Sequence, residues 1–126
     1  MRYKVESPVY VIDEGTYMGE LIGVSERTMD YGPTLMFSFK ILTPDVGDGV
    51  ILNGLCSANE DGKLLTGSKL YRWLCVLNGA NFDDGEEVDP ENFVGSRVEL
   101  IIENTQKNGW EFSNVKTLVR LVDPTS

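Results

Sequence analysis

The chain contains no histidine. The commonest general base at neutral pH is therefore missing, and so is the commonest zinc ligand. There are only two cysteines, Cys56 and Cys75, and no C-x-x-C pair. They read as two small buried apolar side chains in a reducing compartment, with a disulfide as the less favoured alternative. No stretch approaches the roughly 20 apolar residues that a membrane span requires. The opening "MRYKVESP" leads into no hydrophobic signal core, so a cytoplasmic protein is expected. There is no Walker-type loop and no G-x-G-x-x-G. "ANEDGK" has Asp and Asn but neither the ligand spacing nor the terminal glutamate of a calcium loop. Neither repeats nor low-complexity tracts occur. These absences favour a protein without cofactor, metal or catalytic step.

Positive charge is also scarce. Eleven Lys and Arg stand against 20 Asp and Glu, a net charge of −9. That counts against an ordinary basic binder of duplex DNA. The acid is concentrated, however. Residues 79–92, "GANFDDGEEVDPEN", hold six acids and no base, leaving 14 acids against 11 bases elsewhere. The acid pairs in this Gly- and Pro-containing loop read as solvated charge rather than a catalytic carboxylate pair. A locally basic surface remains available outside it.

What is present is mostly strand, in a chain of 126 residues that suits one domain. "TYMGELIGVSER", 16–27, reads as a long strand whose glycines let it coil. Tyr17, Gly19, Leu21 and Gly23 would share one face; Met18, Ile22 and Val24 would share the other. "TMDYGP" is a turn. "TLMFSFKIL", 34–42, alternates most cleanly, with Leu35, Phe37, Phe39 and Ile41 opposite Met36, Ser38 and Lys40. "TPDVGDG" turns the chain into a third strand, "VILNGLCS", 50–57. "GSRVELIIENT", 95–105, is a fourth strand, and "QKNG" carries the Asn-Gly hairpin signal. "WEFSNVKTLVRLV", 110–122, is the last, with irregularity expected near Ser113 and Asn114. Residues 1–14 read as an arm or edge strand, 80–93 as an acidic loop, and 122–126 as a short tail.

One segment breaks the pattern. "SKLYRWLCVLNG", 68–79, spaces Leu70, Trp73, Leu74 and Leu77 as a helical stripe. Ser68 is placed to cap its start and Gly79 its end. The order is thus three strands, one helix, two strands. This mainly β pattern fits a five-stranded Greek-key barrel of the OB type, with the helix between strands 3 and 4 plugging one open end. A β-sandwich with a surface helix and a small barrel of other connectivity are the alternatives.

In such a barrel, ligands meet the face of strands 2 and 3 and the loops joining strands 1–2 and 4–5. Those positions carry Arg27 and Tyr31, then Met36, Ser38 and Lys40, then Asn53, and finally Lys107 and Trp110. Single-stranded nucleic acid needs cations for phosphates and flat π-faces for bases. Arg27, Lys40 and Lys107 supply the first, Tyr31 and Trp110 the second. Each also has a plainer reading. Tyr31 packs over its turn, Trp110 fills a barrel end, and the cations are ordinary surface charge.

The sequence also carries a family resemblance. Glu14-Gly15-Thr16-Tyr17, the strand from Gly32 to Phe39, Gly49, Ser68 to Leu70, and Val94 to Leu100 with Val115 form the pattern. Over residues 13–120 the chain resembles small phage-associated single-stranded-DNA-binding proteins with an OB fold. Asp13-Glu14 stands where that pattern has proline before the glycine. The resemblance implies sequence-independent binding of single-stranded DNA in replication or recombination, with replication or recombination proteins as further partners. Exposed strand edges leave room for a homo-oligomer. The rival readings are a protein-interaction module, whose acidic surface would meet a basic partner, and an oligosaccharide-binding barrel.

Overall fold

Alternation decides most of this structure. In "GPTLMFSFKI" the side chains of Phe37, Phe39 and Ile41 are fully buried while Lys40 is exposed. In the computed structural model, which describes residues 1–3, 11–44 and 49–123, this segment is strand β2, Gly32–Ile41. It lies between β1, Gly15–Met29, and β3, Ile51–Ser57. Helix α1, Lys69–Asn78, and a single 3-10 turn, Pro90–Phe93, follow. Strands β4, Arg97–Lys107, and β5, Trp110–Asp123, complete the elements among the described residues. All pairings are antiparallel, in the order β3-β2-β1-β4-β5. The architecture is therefore mainly β, one five-stranded sheet with one helix, in the expected sequence of elements. No helix among the described residues is long and apolar enough to cross a membrane.

Among the described residues, no hydrogen-bonded pairing joins β3 to β5, so the sheet is open. It curls nevertheless. A Cβ added at Gly54 in β3 would lie 3.2 Å from Val115 Cβ in β5 and 2.3 Å from Trp73 Cη2. Only glycine leaves room there for the indole and the facing strand. The curl has local causes. Ile22 is an extra residue between the pairs Leu21↔Phe39 and Gly23↔Ser38. In β5 the register skips Lys116, Val119 and Val122. Each insertion bends its strand and increases twist.

The Ile22 bulge corrects the two-face reading of β1. Beyond it, Val24 pairs with Phe37 and packs against the core, while Gly23 pairs with Ser38 on the outer side. The last strand also differs from expectation. Ser113 and Asn114 pair regularly with Asn104 and Glu103, and the irregularities come later in the strand. The first turn narrows to Asp30–Tyr31, because Met29 already pairs with Gly32. The acidic loop is not all loop: Pro90–Phe93 makes a 3-10 turn, with Asp89 accepting from the Glu91 N–H at 3.1 Å.

Of the expected N-terminal arm or edge strand, residues 1–3 form no strand, and neither do residues 11–14. The latter are tied to the β4–β5 hairpin. The Ile12 N–H donates to Ser113 Oγ at 2.9 Å, Asn104 Nδ2 donates to the Ile12 carbonyl at 2.8 Å, and the Asn104 N–H donates to Glu14 Oε2 at 2.9 Å. Residues 4–10, residues 45–48 of the second turn and residues 124–126 of the tail lie outside the described residues.

Helix α1 forms as its sequence dictates. Ser68 Oγ accepts from the Tyr71 N–H at 3.1 Å, and Gly79 ends the helix at φ 77° by donating to the Cys75 and Val76 carbonyls. Leu70, Trp73, Leu74 and Leu77 are all buried. Trp73 meets Phe37 and Phe39 edge-on, with ring centroids 5.5 and 6.2 Å away. Ring edges against ring faces suit the aromatic quadrupoles. The stripe thus closes over side chains of the central strands.

The cysteines are both free, and only Cys56 is fully buried; Cys75 is half-buried, which corrects the expectation for it. Burial pushes the Cys56 thiol from 9.0 up to about 12, against the smaller opposing pull of Lys69 and Arg72. In the folded state the thiol holds its proton more tightly than in the unfolded chain. Its contribution to stability is full below pH 9.0 and is lost as pH rises toward about 12. Urea midpoints of the wild type and Cys56→Ala should therefore converge between about pH 8 and about pH 10.5. A constant gap would show that the buried thiol titrates normally.

Candidate nucleic-acid interface

The outer face of β2 and β3 is assembled by register. Three cross-strand pairs follow one another: Met36↔Leu55, Ser38↔Asn53 and Lys40↔Ile51. Phe37, Phe39, Leu52, Gly54 and Cys56 point the other way into the core, so period-2 geometry forces these six outward. Ser38 Oγ donates to Asn53 Oδ1 at 2.8 Å, which leaves the Asn53 amide N–H groups facing solvent. Lys40 is exposed and lies across from Glu20 of β1, whose carboxylate takes Arg97 Nε at 3.2 Å. Met36, Lys40 and Asn53 are thus brought together, as the sequence led one to expect.

Two hairpin tips carry the aromatic candidates. Asp30–Tyr31 joins β1 to β2, and Tyr31 is 65% exposed. Asn108–Gly109 joins β4 to β5, both left-handed at φ 54° and 82°, as the tightest hairpins require. Lys107 pairs directly with Trp110 across this tip, and Trp110 is also 65% exposed. At that exposure Trp110 does not fill a barrel end, and Tyr31 keeps most of its surface in solvent. A tryptophan standing in water is more informative than an exposed leucine, since so large an apolar surface is normally covered.

The registers also keep the two tips apart. Gly15, the first residue of β1, pairs with Ile102, and β4 continues beyond it to Lys107. Tyr31 lies past the last residue of β1. Lys107 with Trp110 and Arg27 with Tyr31 therefore mark opposite ends of the sheet. Their electrostatic settings differ. Arg27 lines a groove shared with Glu26 and Glu60, so its charge is partly matched at home. At the other tip Lys107 stands beside Trp110 with Glu111 as the adjoining acid.

Three apolar members of the outer surface were not singled out from sequence: Ile22, Ile51 and Leu55, at 39%, 52% and 39% exposure. The alternation in "ILNGLCS" already places Ile51 and Leu55 beside Asn53. Ile22 is outward by alternation with the buried Leu21, and the bulge there then turns Gly23 outward and Val24 inward. Together with Met36 they give the face an aliphatic surface around the Ser38–Asn53 pair, on which bases or another apolar surface can rest.

Compared with known proteins, the chain matches no protein-family model and no curated sequence.

Proposed function

We propose that the chain is an OB-type barrel that binds single-stranded DNA, largely without sequence preference, in phage-type replication or recombination within the cytoplasm. The strand neighbourhood β3-β2-β1-β4-β5, the helix between β3 and β4, and the approach of β3 to β5 at Gly54 and Val115 support that fold. The observation that carries the functional reading is Trp110: a mostly exposed indole, cross-strand from Lys107, at the β4–β5 hairpin tip. Stacking supplies affinity and the cations position phosphates, with no catalytic step and no cofactor.

The test is a titration of fluorescein-labelled oligo-dT by anisotropy at two salt concentrations, with tryptophan emission read in the same cuvette. Trp73 is 1% exposed and sealed in the core, so quenching reports on Trp110. Saturable binding that weakens with salt and quenches the indole is expected. No binding at low salt and tens of micromolar protein would sink the proposal.

A further inference from the structure

The folded chain gathers half of its acids at one end. Glu26 and Asp30 of the β1–β2 hairpin, Glu60 and Asp61 after β3, and the six acids of 83–91 make ten of the 20. Shared grooves bring these segments together. One joins Glu26 and Arg27 to 58–60 and Gly62, a second joins 24–26 to Asp89 and Glu91, and a third joins 62–66 to 82–88. Arg27 and Lys63 are the bases found there. Among the described residues, the ion pairs are Arg97–Glu20 and Arg120–Glu99, and neither involves these ten acids.

The third groove is more than acidic. It is open, about 670 Å³, and floored by Leu64, Tyr71, Phe82 and Val88, with Leu65 on its rim at 56% exposure. Phe82 stands between Tyr71 and Phe93, edge-on to each with centroids 6.3 Å away. The walls are held as well. Glu86 Oε2 accepts from the Asp83 N–H at 2.9 Å while the Glu86 N–H donates to the Asp83 carbonyl at 3.1 Å. Asn59 Nδ2 donates to the Lys63 carbonyl at 3.1 Å, and Asp61 Oδ1 accepts from the Lys63 N–H at 2.9 Å. A groove already shaped needs less ordering when a ligand enters.

We infer that this groove docks a lysine- and arginine-rich segment of a partner protein, anchored by one aliphatic or aromatic side chain on Leu65 and Phe82. Charge complementarity selects the occupant. Carboxylates that make no ion pair among the described residues line an apolar floor, a surface that repels nucleic acid and attracts a cation-bearing peptide with an apolar anchor. A second copy of this chain does not offer that chemistry, because its 11 bases are scattered among 20 acids. The groove is lined by none of Met36, Lys40, Asn53, Lys107 and Trp110, so the inference stands apart from DNA binding.

The probe is a fluorescein-labelled peptide of alternating lysine and glycine with one central tryptophan, titrated by anisotropy into the full chain. Saturable, salt-weakened binding is expected. Leu65→Ser should weaken it about tenfold by removing the apolar anchor point. The double variant Asp84→Asn with Glu87→Gln should weaken it and flatten its salt dependence. All three side chains are exposed, so the variants should keep the wild-type circular dichroism and melting point. Three outcomes would overturn the inference. The peptide does not bind; its tryptophan-free version binds equally well; or Leu65→Ser leaves the Kd unchanged, which reduces the effect to bulk charge. Sedimentation provides the check on a second copy: a concentration-dependent dimer of the wild type that Leu65→Ser dissolves would also overturn it.

Discussion

Trp73→Ala is expected to lose about 3–5 kcal/mol of stability, the range for deleting a buried large aromatic. For a domain of this size that is a fall of roughly 10–20 °C in melting temperature. The indole is 1% exposed and meets Phe37 and Phe39 edge-on. Its far edge occupies the space that Gly54 leaves open, and β5 closes over the same place through Val115. Lys69 Nζ lies 4.8 Å from the ring centroid and donates to the Leu55 carbonyl at 2.9 Å. One side chain thus joins the helix to β2 and β3, where β5 also closes in. Removing it leaves a cavity that the backbone has no easy way to fill, since Gly54 brings no side chain of its own. With total stabilities of about 5–15 kcal/mol for folded domains, such a loss is a large fraction of the whole. Differential scanning calorimetry on the two proteins decides the matter. A melting point within a few degrees of wild type would mean that α1 lies on the sheet rather than closing its core.

That central role was legible early because the helix announces itself in several independent ways. Ser68 caps, Gly79 stops, and four apolar residues share one stripe; the structure keeps all of these features. β2 and β3 were equally plain, because alternation in "TLMFSFKIL" and "ILNGLCS" fixes which side chains go inward. The facing order Met36, Ser38 and Lys40 against Leu55, Asn53 and Ile51 follows once the register is known. What the sequence did not disclose are the insertions at Ile22, Lys116, Val119 and Val122. A bulge adds one residue without changing composition or turn chemistry, so a period-2 pattern slips a face with no local sign. Val24 went to the wrong side for that reason. Nor did sequence reveal that the β1–β2 tip, the loop after β3 and the acidic segment meet at one end. That depends on long-range pairing, which turn signals do not encode. Arg27 and Tyr31 accordingly stand in more acidic surroundings than their own neighbours suggest.

Trp110→Ala is expected to reduce affinity for oligo-dT by about 1–3 kcal/mol, or roughly fivefold to more than a hundredfold, through loss of one stacking platform. Stability should scarcely move. Trp110 is 65% exposed and lies outside the buried cluster, and the turn beneath it is held by Asn108 and Gly109. Tyr31→Ala provides the internal comparison. The two rings are equally exposed, but the acids differ: Tyr31 adjoins Asp30, with Glu26 and Glu60 beside the neighbouring Arg27. A phosphate backbone approaching that end meets carboxylates first, whereas at Trp110 it meets Lys107 across the strand. The larger loss should therefore belong to Trp110. Lowering the salt should raise the affinity of both variants by a similar factor, because neither substitution removes a cation. Anisotropy titrations of wild type, Trp110→Ala and Tyr31→Ala at two salt concentrations separate the cases. Equal losses would place the strand along the whole face from tip to tip. Unchanged binding in both would move the site off this surface, and a larger loss at Tyr31 would mean that stacking outweighs the local field of the acids.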